Sequence, residues 1–174
     1  ILNEQVFRYE YDNRGRMTRK KVPGAQEVRM VYDNRDRIVL TQDAILRPQN
    51  KWIYTQYDDL NRPVSSGFWT DGMARSFSQI LTESSDMGTI IPGGSLEELT
   101  ATFYNNYSWV TSPLSNTRLS NWDGYFQGTS NTNFPYAQAV TQSNLTKGMV
   151  TGSKVKVLGE STFLYTANFY DEYG

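Results

Sequence analysis

The chain has 174 residues, a formal net charge of −1, and neither cysteine nor histidine. That length suits one domain of ordinary size or a piece of something larger, and the small net charge provides no global field to draw in nucleic acid or a membrane surface. The two missing residue types exclude disulfides, thiolate and His-based zinc sites, and every catalytic arrangement built on a histidine base, leaving carboxylates, lysine or tyrosine for any chemistry. Aromatic residues make up 14 %, with 12 tyrosines, a composition that favours half-buried strands. The first 70 residues carry 12 of the 17 basic and 9 of the 18 acidic side chains, so each half reads as solvated surface and not as a nucleic-acid stripe. No apolar run approaches the roughly 20 residues of a membrane-spanning helix, and no signal peptide is present. The chain opens Ile1-Leu2-Asn3 without methionine, and both ends are expected to be cuts in a longer protein.

From the N-terminus, "VFRYEY" alternates, with Phe7, Tyr9 and Tyr11 on one face and Arg8 and Glu10 on the other. It runs into "YDNRGR" at 11–16, and a near copy, "YDNRDR", follows at 32–37. Aligning on the Tyr-Asp pair gives a series. Tyr11-Asp12 is followed by Gly15-Arg16, Tyr32-Asp33 by Asp36-Arg37, Tyr57-Asp58 by Asn61-Arg62, and Tyr170-Asp171 by Gly174. Gly, Asp and Asn are the residue types that tolerate positive φ. A short carboxylate can accept backbone N–H groups two or more residues on. The series therefore predicts hairpin tips at 12–15, 33–36 and 58–61. "VRMVY", with Val28, Met30 and Tyr32 on one face, and the segment carrying Ile53 and Tyr57 predict the approaching strands. "MTRKKV", "IVLTQ" and "PVSSGFW" predict the departing ones, and "VPGAQE" (22–27) predicts the reversal between hairpins. The basic run "RKK" (19–21) reads as protection for a strand edge. A lone hairpin is marginal in water, so the hairpins are expected to stack and bury a continuous face.

The period changes at "TDGMARSFSQILTESS" (70–85). Met73, Phe77, Ile80, Leu81 and Ser84 share a helical face, predicting one short amphipathic helix near 71–84, capped by Thr70 or Asp71 and laid over one side of the sheet. "GTIIPGG" (88–94) predicts a loop. Strand alternation returns near Leu99, Ala101 and Phe103, although Ser95 and Glu98 also have the spacing of a capping box. Residues 110–148 are rich in Ser, Thr and Asn. Their rings, with Trp109 just before them, offer two readings. Trp109, Trp122, Tyr125, Phe126, Phe134 and Tyr136 either pin a long loop to the sheet or stack on sugar faces as a glycan-binding module.

The recurring aspartates raise the question of a carboxylate hydrolase, since glycosidases need two carboxyls roughly 5–10 Å apart. A carboxylate committed to backbone N–H groups has a lowered pKa and makes a poor general acid, so no catalytic residue, metal or cofactor is assigned. The arginines are expected to pair with the aspartates along the stack.

Tyr-Asp-x-x-Gly-Arg at this interval resembles the YD repeat of RHS (rearrangement hot spot) proteins, of the type found in Bacteroidetes. The resemblance covers residues 5–69. It returns at 99–109, where Tyr104-Asn105 looks like a degenerate Tyr-Asp, and again at 147–174. It implies a mainly β fold of stacked antiparallel hairpins in a twisted, curved sheet, forming part of a shell that encloses a C-terminal, toxin-like domain. It also implies a cell-surface or secreted parent whose partners are the neighbouring repeats and that C-terminal domain. The expected organisation is a single fragment, 1–174: YD hairpins over 1–69, a helix plus a degenerate repeat over 70–109, an inserted aromatic loop over 110–148, and a return to the repeat over 149–174.

Overall fold

A computed structural model describes residues 5–87, 93–111, 114, 117–119, 121, 141–171 and 173, with backbone alone at 85–87. The fold is mainly β. Among the described residues one open, antiparallel, nine-stranded sheet takes its strand order directly from chain order, accompanied by one short helix. The strands are β1 (Arg8–Tyr11), β2 (Met17–Lys21), β3 (Val28–Tyr32), β4 (Ile38–Gln42), β5 (Lys51–Tyr57), β6 (Pro63–Asp71), β7 (Gly94–Tyr104), β8 (Val150–Lys156) and β9 (Phe163–Ala167). The helix α1 is Phe77–Met87. Contacts divide the chain into two compact units, Ile1–Ala101 and Thr102–Gly174.

In the first unit β1 to β6 form a meander joined by short connections, and the longer link from β6 to β7 carries α1. Gly24, at φ 71, closes the Pro-Gly reversal, with Ala25 N–H donating to Val22 O at 3.2 Å. Asp43 Oδ1 accepts the N–H groups of Ile45 and Leu46, both at 2.9 Å, and shapes the turn that leads to β5. Cross-strand register then decides which face is which. Arg19 pairs with Arg29 and Arg29 with Gln42, while Val31 pairs with Leu40, Leu40 with Tyr54, and Trp52 with Trp69. This is the buried face, and Phe77 and Ile80 of α1 pack on it to complete the core. Arg19 and Arg29 sit on the Phe77 ring, at 4.9 and 5.1 Å from its centroid.

Strand alternation left open which face is buried, and the start of the helix needs correction. The faces carrying Tyr9, Val28, Met30 and Ile53 look apolar in sequence, yet Tyr9, Val28 and Ile53 are exposed. The core lies on the opposite side because the helix covers that side. The helix itself begins at Phe77, not near 71. Asp71 ends β6 and does not cap a helix. Its carboxylate accepts Met73 N–H at 3.0 Å, Arg75 N–H at 2.5 Å and the Arg75 guanidinium at 2.6 Å. Met73, expected on the helical stripe, is exposed in this turn. The capping box is Ser76 with Gln79: Gln79 Oε1 accepts Ser76 N–H at 2.9 Å, and Ser76 Oγ accepts Gln79 N–H at 3.4 Å, a reciprocal pairing of helix-end groups. Ser95 and Glu98 form no helical turn, since β7 runs straight through them.

Ala74 sits at φ 49 in the Asp71 turn, where a Cβ is strained. Ala74→Gly is expected to raise stability by about 0.5 kcal/mol, strain relief outweighing the added entropy of the unfolded chain. A thermal melt checks this, and a lowered midpoint would contradict it.

The second unit holds the end of β7, the hairpin β8–β9 and the segment around it. β8 and β9 pair from Gly152↔Ala167 to Lys156↔Phe163. Gly159, at φ 86, turns the chain between them, and Val157 N–H donates to Thr162 O at 3.0 Å.

Candidate functional site: the turn ladder

The three predicted hairpin tips share one geometry. In each, the aspartate N–H donates to the arginine carbonyl at 2.9–3.0 Å, and the positive-φ residue donates back to the aspartate carbonyl at 3.0–3.2 Å. Aspartate Oδ1 accepts two backbone N–H groups, two and four residues on: Arg14 and Arg16 to Asp12, Arg35 and Arg37 to Asp33, Leu60 and Arg62 to Asp58, all at 2.9–3.0 Å. Oδ2 accepts the arginine Nε at 2.7 Å in every copy. Gly15, Asp36 and Asn61 stand at φ 76, 62 and 63, the left-handed region that their residue types tolerate. Beyond each arginine the register slips by one residue, leaving Thr18, Val39 and Val64 as bulges that increase the local twist.

The tips also grip one another, through contacts that alignment of the motifs did not reveal. Arg16 Nη1 donates to Asp33 O at 2.9 Å and Asp36 Oδ1 at 2.8 Å, and Arg14 Nη2 reaches Asp36 Oδ2 at 2.9 Å. One repeat later, Arg37 Nη1 donates to Asn61 Oδ1 at 2.9 Å. The position that varies among Gly, Asp and Asn is therefore a turn residue that also supplies an acceptor when it has a side chain. The motif tyrosines close the stack from the other side. The hydroxyls of Tyr32 and Tyr57 donate to Met17 O and Ile38 O, both at 3.0 Å. The Arg16 and Arg37 guanidiniums lie over those rings at 5.0 and 4.7 Å from the centroids. Burial pushes both phenols above their ordinary range, and the neighbouring arginines offset this only in part, so the hydroxyls stay protonated donors.

Tyr104-Asn105 is a repeat tip pulled open. Asn105 N–H donates to Met149 O at 3.0 Å, the bond that Asp12 makes to Arg16, and Asn105 Oδ1 accepts Gly148 N–H at 2.8 Å. Gly148 has φ 89 and stands where Gly15 stands, one residue before the closing position. Residues 106–145 thus separate the two halves of a single hairpin tip. The last motif keeps its outline. Tyr170 donates its hydroxyl to Val150 O at 2.6 Å, and Asp171 Oδ1 accepts Tyr173 N–H at 2.9 Å, while Gly174 lies outside the described residues. A partial relative of the clasp lies outside the aligned series: Asp71 holds Met73 N–H, Arg75 N–H and the Arg75 guanidinium around positive-φ Ala74, but its own N–H donates to Asn50 O and not to Arg75, and Thr70 stands in place of the tyrosine.

Of the rings considered for ligand stacking, Trp122, Tyr125, Phe126, Phe134 and Tyr136 lie outside the described residues. Trp109 is committed to the fold. It stacks on Phe103 at 4.3 Å with a 5° interplanar angle, and its Nε1 donates to Thr151 Oγ1 at 3.1 Å. It also leaves no room for a Cβ at Gly152. At the root of the insertion a cleft is lined by amides and hydroxyls, among them Asn106, Ser108, Thr117, Gln142 and Asn144. Several of these already serve the backbone: Asn106 Oδ1 accepts Ser108 N–H, and Gln142 Oε1 accepts Arg118 N–H, both at 2.9 Å. Among the described residues no three carboxylates gather as a metal ion would require.

Burial alone would push the Asp12 and Asp58 carboxyls up. Hydrogen bonds from the Arg16 and Arg62 backbones and guanidiniums, and from the Arg14 and Leu60 N–H groups, outweigh it and hold both below the usual range. A depressed carboxyl contributes stability that is complete above its unfolded value of about 3.9 and is lost as pH falls through the lower folded value. Unfolding free energy is therefore expected to fall with acidification below about pH 4. The double variant Asp12→Asn/Asp58→Asn should show a shallower fall in urea titrations, and an unchanged slope would contradict the assignment.

Comparison with family models, with curated proteins and with solved structures finds no match for this chain.

Proposed function

We propose that this chain is a non-catalytic structural segment of a hairpin-repeat array, a length of β-wall in a larger surface or secreted protein of the RHS/YD kind, where the wall encloses or displays a C-terminal domain of the same parent. The observation that carries the reading is the coupling between tips. One arginine side chain holds its own turn through Asp Oδ2 and the next turn through a backbone carbonyl and the side chain at the positive-φ position. Carboxylates engaged in this way set strand register, which is what a wall needs. The Tyr-Asp-x-x-Gly-Arg likeness supplies the family and the compartment.

The test is native-state hydrogen exchange on Arg37→Ala. The expected result is that amides of both tips, 33–37 and 58–62, lose protection together by tenfold or more, because one guanidinium joins them. Loss confined to 33–37 would mean that the hairpins open independently, and the array reading would fall.

The polar cleft favours a second reading, in which it grips a neutral sugar. Calorimetric titration with mono- and disaccharides, repeated on Asn144→Ala, decides it. Heat that disappears in the variant supports this reading, and no heat with the parent chain disposes of it.

A further inference from the structure

Positive charge is concentrated on the helix-bearing face of the sheet. Register sets Arg8 opposite Lys21 and Arg19 opposite Arg29, and like charges directly opposed across strands are destabilising. The two pairs share a face, because Arg19 and Lys21 stand two residues apart on β2. Arg47 joins them from the turn that leads to β5, donating through Nη2 to Glu27 O. Glu27 is the carboxylate among these guanidiniums, and its side chain hydrogen-bonds Arg29. Arg29 Nε donates to Oε1 at 2.8 Å, while Arg19 Nε and Arg47 Nη2 stand off at 3.9 and 3.8 Å. Arg19 Nη1 lies 3.2 Å from Glu10 Oε2. Neither Arg19 Nε nor Arg47 Nε has a hydrogen-bond partner among the described residues, although both atoms are buried. Burial foremost, with the Arg29 charge beside it, holds the Arg47 guanidinium below its ordinary pKa, and Glu27 offsets this only in part. A cleft of about 260 Å³ opens here, lined by Arg8, Glu10, Arg19, Lys21 and Glu27. With Arg29 and Arg47 behind it, five cationic side chains face Glu10, Glu27 and Asp43, an excess of two.

We propose that this cleft binds a doubly charged tetrahedral oxyanion, a phosphate group, with Arg19 and Arg47 as its principal donors and Arg8 and Lys21 at its rim. The site goes beyond the array reading and does not depend on it. Its principal donors stand on β2 and on the link between β4 and β5, inside the sheet and not on its edge. The turn ladder shows what an arginine with a purely structural task looks like in this chain: Arg16 and Arg37 each place Nε on a carboxylate at 2.7 Å. Arg19 and Arg47 lack that bond. A dianion cancels the excess charge that the register builds in, and the forked N–H groups of a guanidinium meet phosphate oxygens two at a time. Part of the site is also ordered in advance. Phe77 of α1 lies against Arg19 and Arg29, at 4.9 and 5.1 Å from its centroid, so less side-chain freedom is lost on binding. Arg19 and Arg47 keep about a third of their exposure, which leaves them within reach of a ligand.

Calorimetric titration of the full chain at low ionic strength, with inorganic phosphate and glucose 6-phosphate as probes, tests this. Saturable binding is expected. Tighter binding of the ester assigns the group to a phosphorylated sugar, and equal or tighter binding of the free ion assigns it to inorganic phosphate. Arg19→Gln and Arg47→Gln are each expected to weaken binding about tenfold or more, the loss of a charge-assisted hydrogen bond. Lys147→Gln, the same loss of charge at an exposed position in the other unit, is expected to leave it unchanged. Glu10→Gln removes the carboxylate that competes for Arg19 and is expected to tighten binding several-fold, a gain that a merely misfolded variant would not give. No saturable heat with either probe overturns the proposal. So does binding that survives both arginine variants, that falls as far in Lys147→Gln, or that fails to tighten in Glu10→Gln.

Discussion

Asp33→Ala is expected to cost about 3–5 kcal/mol, the largest loss at any of the tips, because it strips the partner from a half-buried charge. Asp33 is fully buried, whereas the Asp12 and Asp58 side chains keep about a fifth to a quarter of their exposure. Its carboxylate satisfies two backbone N–H groups and the Arg37 guanidinium, and that guanidinium is itself committed to the next tip. Truncation leaves two part-buried N–H donors without their acceptor and strips the Arg37 guanidinium of its carboxylate, leaving it only the neutral acceptors of the next tip. Asp33→Asn retains an acceptor for the N–H groups but turns Oδ2, the acceptor of Arg37 Nε, into an amide donor, so it should fall between parent and alanine. Asp12→Ala, on a more exposed tip, is expected to cost about 1–2 kcal/mol. Urea denaturation at neutral pH orders the three variants. Equal losses at Asp12 and Asp33 would show that burial of the middle tip does not set the energetics.

Trp52→Ala should cost a similar amount by a different route. Trp52 is almost fully buried, pairs across the sheet with Trp69 and stacks on Phe77 of α1 at 6.1 Å. Removing a ring of this size from a packed core costs about 3–5 kcal/mol through lost transfer energy and the cavity left behind. The cavity would open between sheet and helix, so the near-UV and helical circular dichroism signals should both weaken before global unfolding. Trp52→Phe, which keeps a ring against Phe77, is expected to recover about half the loss. A loss under about 1 kcal/mol in Trp52→Ala would mean that α1 is held mainly by Arg19 and Arg29 on the Phe77 ring, since each such cation–π contact is worth roughly that much.

The tips were the most legible part of this protein, and the reason is local. An Asx turn with one left-handed residue is decided within five residues, so Tyr-Asp-x-x-(Gly/Asp/Asn)-Arg could be read without knowing what lay beside it. The partial clasp at Asp71 was missed because its tyrosine is absent and its neighbours mimic a helical stripe. Met73 and Phe77 are four residues apart, yet only Phe77 is helical, because Asp71 captures the N–H groups of Met73 and Arg75 first. The opened tip at Asn105 could not be found by spacing at all. Its two halves are separated by residues 106–145 and meet across that gap, Asn105 bonding with Met149, Gly148 and Thr146.

By itself, then, the sequence determined the hairpins, their turns and the antiparallel, mainly β class, because those depend on residues close together in the chain. Tertiary structure decided the rest. Strand alternation names two faces but not which one is buried; that choice was made by α1 packing against Val31, Leu40, Trp52 and Trp69, and it left Val28 and Ile53 facing out. Nor could composition show that Arg16 and Arg37 each serve two turns, because the second partner is about twenty residues away and is reached only once the strands are in register.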